Sequence, residues 1–125
     1  MIDFTNKSII KLKPMDINEG SKVIKKLIIP DENVVFAFTS MRDKLIFTNK
    51  RIVSVNVQGV TGKKIDYTSI PYTKIQIFSI ETSGTFDLDS ELDVTISGLG
   101  TVRFELSSQT DIEKLGQFIS TLVLK

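Results

Sequence analysis

The stretch VVFAFTSMRDKLIFTNKRIVSVNV, residues 34–57, decides the fold. Val34, Phe36 and Phe38 alternate with Val35, Ala37 and Thr39, the period-two pattern of a strand with one buried face. Leu45 to Phe47 is a short apolar run, and Val53, Val55 and Val57 alternate with Ser54 and Asn56. β-Branched and aromatic residues dominate all three runs. The short Ser40–Lys44 connection and the Asn49-Lys50 turn join them, so the stretch reads as consecutive antiparallel strands.

Four more strands follow towards the C-terminus. Ile65 and Tyr67 alternate with Asp66 and Thr68, and Ile75 to Thr82 forms a longer run whose phase shifts at Ile77-Phe78, predicting a bulge or bend. Leu92, Val94 and Ile96 make the next, and Val102, Phe104 and Leu106 the last, with Arg103 and Glu105 turned the other way. Turn signals separate them at Gly59–Gly62, Pro71-Tyr72, Ser83–Ser90 and Gly98–Gly100. Seven strands, each with an apolar face to cover, require a sandwich or barrel. The expected core is Phe36, Phe38, Phe47, Val53, Val55, Val94, Phe104, Leu115, Phe118 and Leu122.

Helical spacing occurs near each end. Between Asp16 and Ile28, the residues Ile17, Ile24, Leu27 and Ile28 share a face, with Asp16 and Glu19 as a capping box and Pro30 as a stop. Thr110 and Glu113 form a second capping-box pattern ahead of Ile112, Leu115, Phe118, Ile119 and Leu122. The organisation predicted is one domain over 1–125: an N-terminal helical extension (1–30), a mainly β barrel (33–107), and a capping helix (110–124) that closes an open end.

Composition narrows the chemistry. A chain of 125 residues suits one domain, and 41% hydrophobic with 25% charged residues is ordinary for a globular protein. There is no cysteine and no histidine, which removes disulfides, thiolate nucleophiles, the usual zinc sites and the common nucleophile–base pairs. A net charge of +1 argues against a polyanion binder, and no tryptophan or interleaved aromatics support nucleic-acid stacking. The N-terminal residues MIDFTNKSIIKLKPM contain no apolar signal region, and no run approaches the ~20 residues that span a bilayer. A cytoplasmic location is expected.

Seven antiparallel strands followed by one helix is the element order of the pleckstrin-homology superfold. Arg42-Asp43, FTNKRI at 47–52, QGVTGKK at 58–64, SIPYTKI at 69–75, FSIET at 78–82 and GTFDLDSEL at 84–92 together resemble the bacterial pleckstrin-homology-like domain family, formerly a domain of unknown function. The resemblance implies a barrel of two near-orthogonal antiparallel sheets with the C-terminal helix across one end. It also implies assembly into homo-oligomeric rings. It implies no ligand, because the shared fold does not carry one.

QGVTGKK has the glycines and lysines of a phosphate loop, but Gly59 and Gly62 are too close and a strand follows rather than a helix. It reads as a hairpin loop. Arg42, Lys44, Lys50, Arg51, Lys63 and Lys64 give residues 42–64 a net +5, whereas Glu81, Asp87, Asp89, Glu91 and Asp93 give 81–93 a net −5. The acidic run lacks the calcium-loop spacing, so no metal ligands are assigned. Asp66, Tyr67, Ser54 and Thr48 are strand positions without a base, so no catalytic residue and no cofactor is expected. The leading expectation is a non-catalytic module that self-associates head-to-tail, with Lys63, Lys64, Asp87, Asp89 and Glu91 as the candidate oligomer interface. The alternative is a peripheral membrane module that holds anionic lipid headgroups through basic hairpin loops, with Arg42 and Lys44 as contacts. Other proteins are possible partners; nucleic acid is not expected.

Overall fold

The computed structural model describes residues 1–4, 8–82 and 89–125. Its elements are β1 (Ser8–Pro14), α1 (Ile17–Val23), β2 (Val34–Thr39), β3 (Asp43–Thr48), β4 (Arg51–Gln58), β5 (Lys64–Pro71), a 3-10 turn (Tyr72–Lys74), β6 (Ile75–Glu81), β7 (Ser90–Ile96), β8 (Gly100–Leu106) and α2 (Ile112–Val123). The seven expected strands are β2 to β8. The eighth, β1, corrects the count.

β1 also corrects the expected division into two sheets. The strands form one continuous order, β5-β4-β3-β2-β1-β8-β7-β6, in which β1 joins two antiparallel meanders. It pairs antiparallel with β2, Lys13 opposite Thr39, and parallel with β8, Ile9 opposite Phe104. Its register on β8 shifts between Ile9 and Leu12, where Lys11 takes a positive φ of 58°. The extra residue of this bulge turns Leu12 into the core, where it is fully buried. The bulge expected at Ile77-Phe78 falls nearby, as a register shift between Ile75 and Ile77 on β7.

The main core draws on both meanders: Phe38, Leu45, Phe47, Ile52 and Ile70 from one side, Leu92, Val94, Val102 and Phe104 from the other. From α2, Leu115 and Ile119 are fully buried in it. Phe118 and Leu122, expected in the core, are only partly buried at its margin. Phe118 packs tilted against Phe36 (5.5 Å between centroids) and edge-on to Tyr72 (6.0 Å), so it seals the gap between β2 and the 3-10 turn. The helix begins at Asp111, not Thr110: Asp111 Oδ1 accepts from Lys114 N at 3.1 Å, whereas Thr110 Oγ1 is buried without a partner.

A second cluster lies on the opposite face of β2–β4, where Ile24 covers Val34, Ala37, Ile46, Val53 and Val55. Val53 and Val55 therefore face the α1 segment, and Ile52 supplies β4 to the main core. The expected stripe on α1 is corrected as well. Ile24 is buried as expected, with Gly20 buried beside it, but Ile17 and Ile28 are exposed. A Cβ on Gly20 would sit 2.7 Å from Ala37 Cβ, so only glycine lets the helix lie this close to β2.

Candidate functional site

The FTNKRI motif becomes a buried polar anchor. Glu32, whose side chain is fully buried, accepts from Arg51 Nε (2.8 Å, Oε2) and Nη2 (2.8 Å, Oε1) in a two-pronged pair. Thr48 Oγ1 donates to Glu32 Oε2 at 2.7 Å, and Ile29 N donates to Oε1 at 3.2 Å. Burial pushes the Glu32 carboxyl up, but the bonds from Arg51, Thr48 and Ile29 outweigh it and leave the group below its ordinary value. Arg51 also donates to Leu27 O (2.9 Å) and Ser69 Oγ (3.1 Å), and Tyr72 Oη donates to Thr48 O (2.7 Å). Burial, with the Glu32 charge, raises the Tyr72 phenol. This network ties the segment after α1 to β3, β4, β5 and the 3-10 turn. Both carboxylate oxygens of Glu32 are engaged, so the site is structural, and Arg51 leaves the basic surface count.

Of the remaining basic residues, Lys50 is exposed on the β3–β4 turn, and the others lie around the β4–β5 turn and the β2–β3 connection. Lys63 and Lys64 are exposed beside the β4–β5 turn, where Gly59 (φ 79°) and Gly62 (φ 66°) take left-handed conformations, as expected of a hairpin loop. Arg42 sits on the β2–β3 connection, and its Nη1 donates to Val57 O (3.2 Å) and Gly59 O (3.0 Å). A groove of about 940 Å³ adjoins it, lined by Lys11, Lys13, Ser40, Met41 and Arg42 among others. Lys44 does not line this groove; its Nζ lies 3.4 Å from Ser40 O. The groove's two lysines come from β1, a strand that sequence patterning missed. Met41 projects beside them, 96% exposed.

The acidic region differs more from expectation. Asp87 lies outside the described residues, and Asp89 is exposed just before β7. Glu91 faces Arg103 across the sheet: its Oε2 is 2.8 Å from Arg103 Nη1. Asp93 is held by the same guanidinium through Nε (2.8 Å) and Nη2 (3.0 Å). The hydrogen bonds and charge of Asp93, with Glu91 and Glu81 adding to them, raise the Arg103 guanidinium further above its already high value. Arg103 follows the acidic run in sequence but opposes it in register, Asp93 to Arg103. Glu81, Glu91 and Glu105 form one row across β6, β7 and β8, so the surface is an acidic sheet face built around one arginine. Among the described residues, no group of three or more acidic side chains converges to hold a metal ion.

No helix among the described residues is long and apolar enough to cross a membrane. The model of the bacterial PH domain family matches residues 3–123. Bacillus subtilis (strain 168) protein YjqA, described as uncharacterized, is 51% identical over 72 residues, which span 58% of this chain and 58% of YjqA. Two solved structures are similar along most of their length. A DUF1696 family protein with a pleckstrin-homology domain from Shewanella loihica PV-4 aligns at TM-score 0.78 and 35% identity, over 90% of this chain and 97% of its own. A pleckstrin homology domain from Shewanella amazonensis SB2B aligns at 0.67 and 37%, over 89% and 90%. With its strands, C-terminal helix and sequence in agreement, the chain belongs to the bacterial PH domain family.

Proposed function

We propose that the protein is a non-catalytic interaction module that associates with copies of itself, head-to-tail, into a homo-oligomeric ring. The observation that carries this reading is the termination of the sheet on two different strands, β5 and β6, unpaired on their outer sides among the described residues. Unlike edges favour heterologous contact, which closes into a ring when the rotation between copies permits. The two ends also differ in charge. Lys63 and Lys64 stand at the start of β5, and Glu81 ends β6 opposite Glu91. Light scattering at micromolar concentration tests this: the expected mass is a multiple of the 14.0 kDa chain, loosened only partly by moderate salt. A monomer at all concentrations overturns it.

The β1–β2 groove supports a second reading, attachment to an anionic membrane surface. Lys11, Lys13 and Arg42 from two segments surround one groove, with the exposed apolar side chain of Met41 at its rim. Basic clusters near a membrane gain about 1 kcal/mol per residue from anionic lipid. The test is co-sedimentation with phosphatidylcholine vesicles with and without phosphatidylserine. Retention only on the anionic vesicles, lost in Lys11→Glu/Lys13→Glu, is expected; equal partition between both vesicle types overturns this reading.

A further inference from the structure

Met41 is the one large apolar side chain lining the groove beside Lys11, Lys13 and Arg42, and it stands almost wholly in solvent. Its exposure belongs to a pinned turn. Ser40 N donates to Asp43 O (2.8 Å) on one side of it, and Val57 N donates to Arg42 O (2.9 Å) on the other. Arg42 Nη1 ties the same connection to Val57 O and Gly59 O. Asp43, the acid of this groove, is held by Asn56, whose Nδ2 donates to Oδ1 at 2.8 Å. The chain has two other methionines. Met15 packs against the second core cluster, and Met1 lines a different, smaller hollow near Asp66. Only Met41 combines an open thioether with a basic groove.

Resting on the membrane reading above, we propose that Met41 is an oxidation site that controls attachment: its thioether enters the lipid interface beside the lysines, and its sulfoxide does not. The thioether is apolar and unbranched, and adds burial to the attraction of the cations for anionic lipid. The sulfoxide is polar and keeps its water. Hydrogen peroxide is the oxidant. Its O–O bond breaks as one oxygen bonds to Sδ, the sulfur is oxidised by two electrons, and the second oxygen leaves with both protons as water. Cellular reductases reverse this change in methionine generally, so the modification can act as a switch. Attraction through Lys11, Lys13 and Arg42 persists after oxidation, so release is partial. The loss matches the burial of one such side chain, about tenfold in affinity.

The full chain is treated with hydrogen peroxide, the oxygen gained is located by peptide mass mapping, and co-sedimentation with phosphatidylcholine–phosphatidylserine vesicles is measured before and after. Oxidation at Met41 should lower retention about tenfold, with the thermal midpoint unmoved because the side chain is exposed. Met41→Gln, a polar side chain of similar length, should show the same loss without peroxide. In Met41→Leu the ratio of retention before and after peroxide should be one, whatever its starting level, which separates Met41 from Met1 and Met15. An unchanged ratio in the unsubstituted chain with Met41 oxidised, or an equal fall in Met41→Leu, overturns this proposal and leaves attachment through the groove standing. No retention of the untreated chain on the anionic vesicles removes both.

Discussion

β3 and β4 are buried on both faces, whereas β7 and β8 are buried on one. In β3 the consecutive residues Leu45 to Thr48 are all buried, and in β4 Ile52 to Val55 are. Over Ser90–Thr95 of β7 and Thr101–Leu106 of β8 burial alternates, with Leu92, Val94, Val102 and Phe104 inside and Glu91, Asp93, Arg103 and Glu105 outside. The difference follows from what covers each meander. The segment around α1 lies over β2–β4 and converts their outer face into a second core, whereas the outer face of β6–β8 is left charged. The first meander is therefore the frame. The second presents a charged outer face, and substitutions of charged residues should separate the two.

The largest effect is expected from breaking the buried pair in the frame. Arg51→Ala leaves the Glu32 carboxylate buried without its principal partner, and losses of about 3–5 kcal/mol are typical of such a change. Replacing both, Glu32→Leu with Arg51→Met, removes the orphaned charge and should recover most of that stability. Urea denaturation of the three proteins checks this. A single Arg51→Ala variant as stable as the unsubstituted chain would mean the two-pronged pair contributes nothing.

The same pair sharpens the comparison through pH. The Glu32 carboxyl is held below its ordinary value of 4.5, so its contribution is present above that pH and is lost as the pH falls through the folded-state value. Asp66, lowered by the Met1 ammonium and Thr68, adds to the same acid limb. Glu32→Gln should flatten the decline below pH 4.5 without abolishing it. In Arg51→Ala the sign should reverse for Glu32, because burial without the guanidinium raises the carboxyl. That variant should gain stability on acidification from pH 7 towards 5, which thermal melts across this range would detect.

How much of this was legible in the sequence depended on the kind of signal. β2 to β8 carry period-two alternation and hairpin turns, so each announces itself locally. β1 has no hairpin partner: it enters the sheet between β2 and β8, parallel to a strand some ninety residues later, with a bulge at Lys11 that breaks its alternation. Without β1, Lys11 and Lys13 could not be placed beside Arg42. The run Leu45-Ile46-Phe47 did carry the sign of two buried faces, since a half-buried strand would alternate. The charge segregation was visible as well, but Arg103 lies outside the acidic run and meets it only through the β7–β8 register. Pairing across a sheet cannot be read from a window along the chain.

The smallest effect should come from Arg103 itself. Its side chain is 43% exposed and bonded to two carboxylates at the surface. Water and salt screen such pairs, and their measured contribution to stability is small. Arg103→Gln should therefore leave the denaturation midpoint close to that of the unsubstituted chain, in contrast to Arg51→Ala, although both remove an arginine bonded to acids. Its consequence should appear in association instead. Without Arg103, Glu81, Glu91, Asp93 and Glu105 stand as an uncompensated acidic face, and the field at the end of β6 becomes more negative. If Lys63 of a neighbouring copy meets that end, Arg103→Gln should tighten self-association at low salt, and the gain should vanish as the ionic strength rises. A variant that associates more weakly, with its stability unchanged, would place Arg103 itself in the contact and move the interface from the edge of β6 onto the face of β7 and β8.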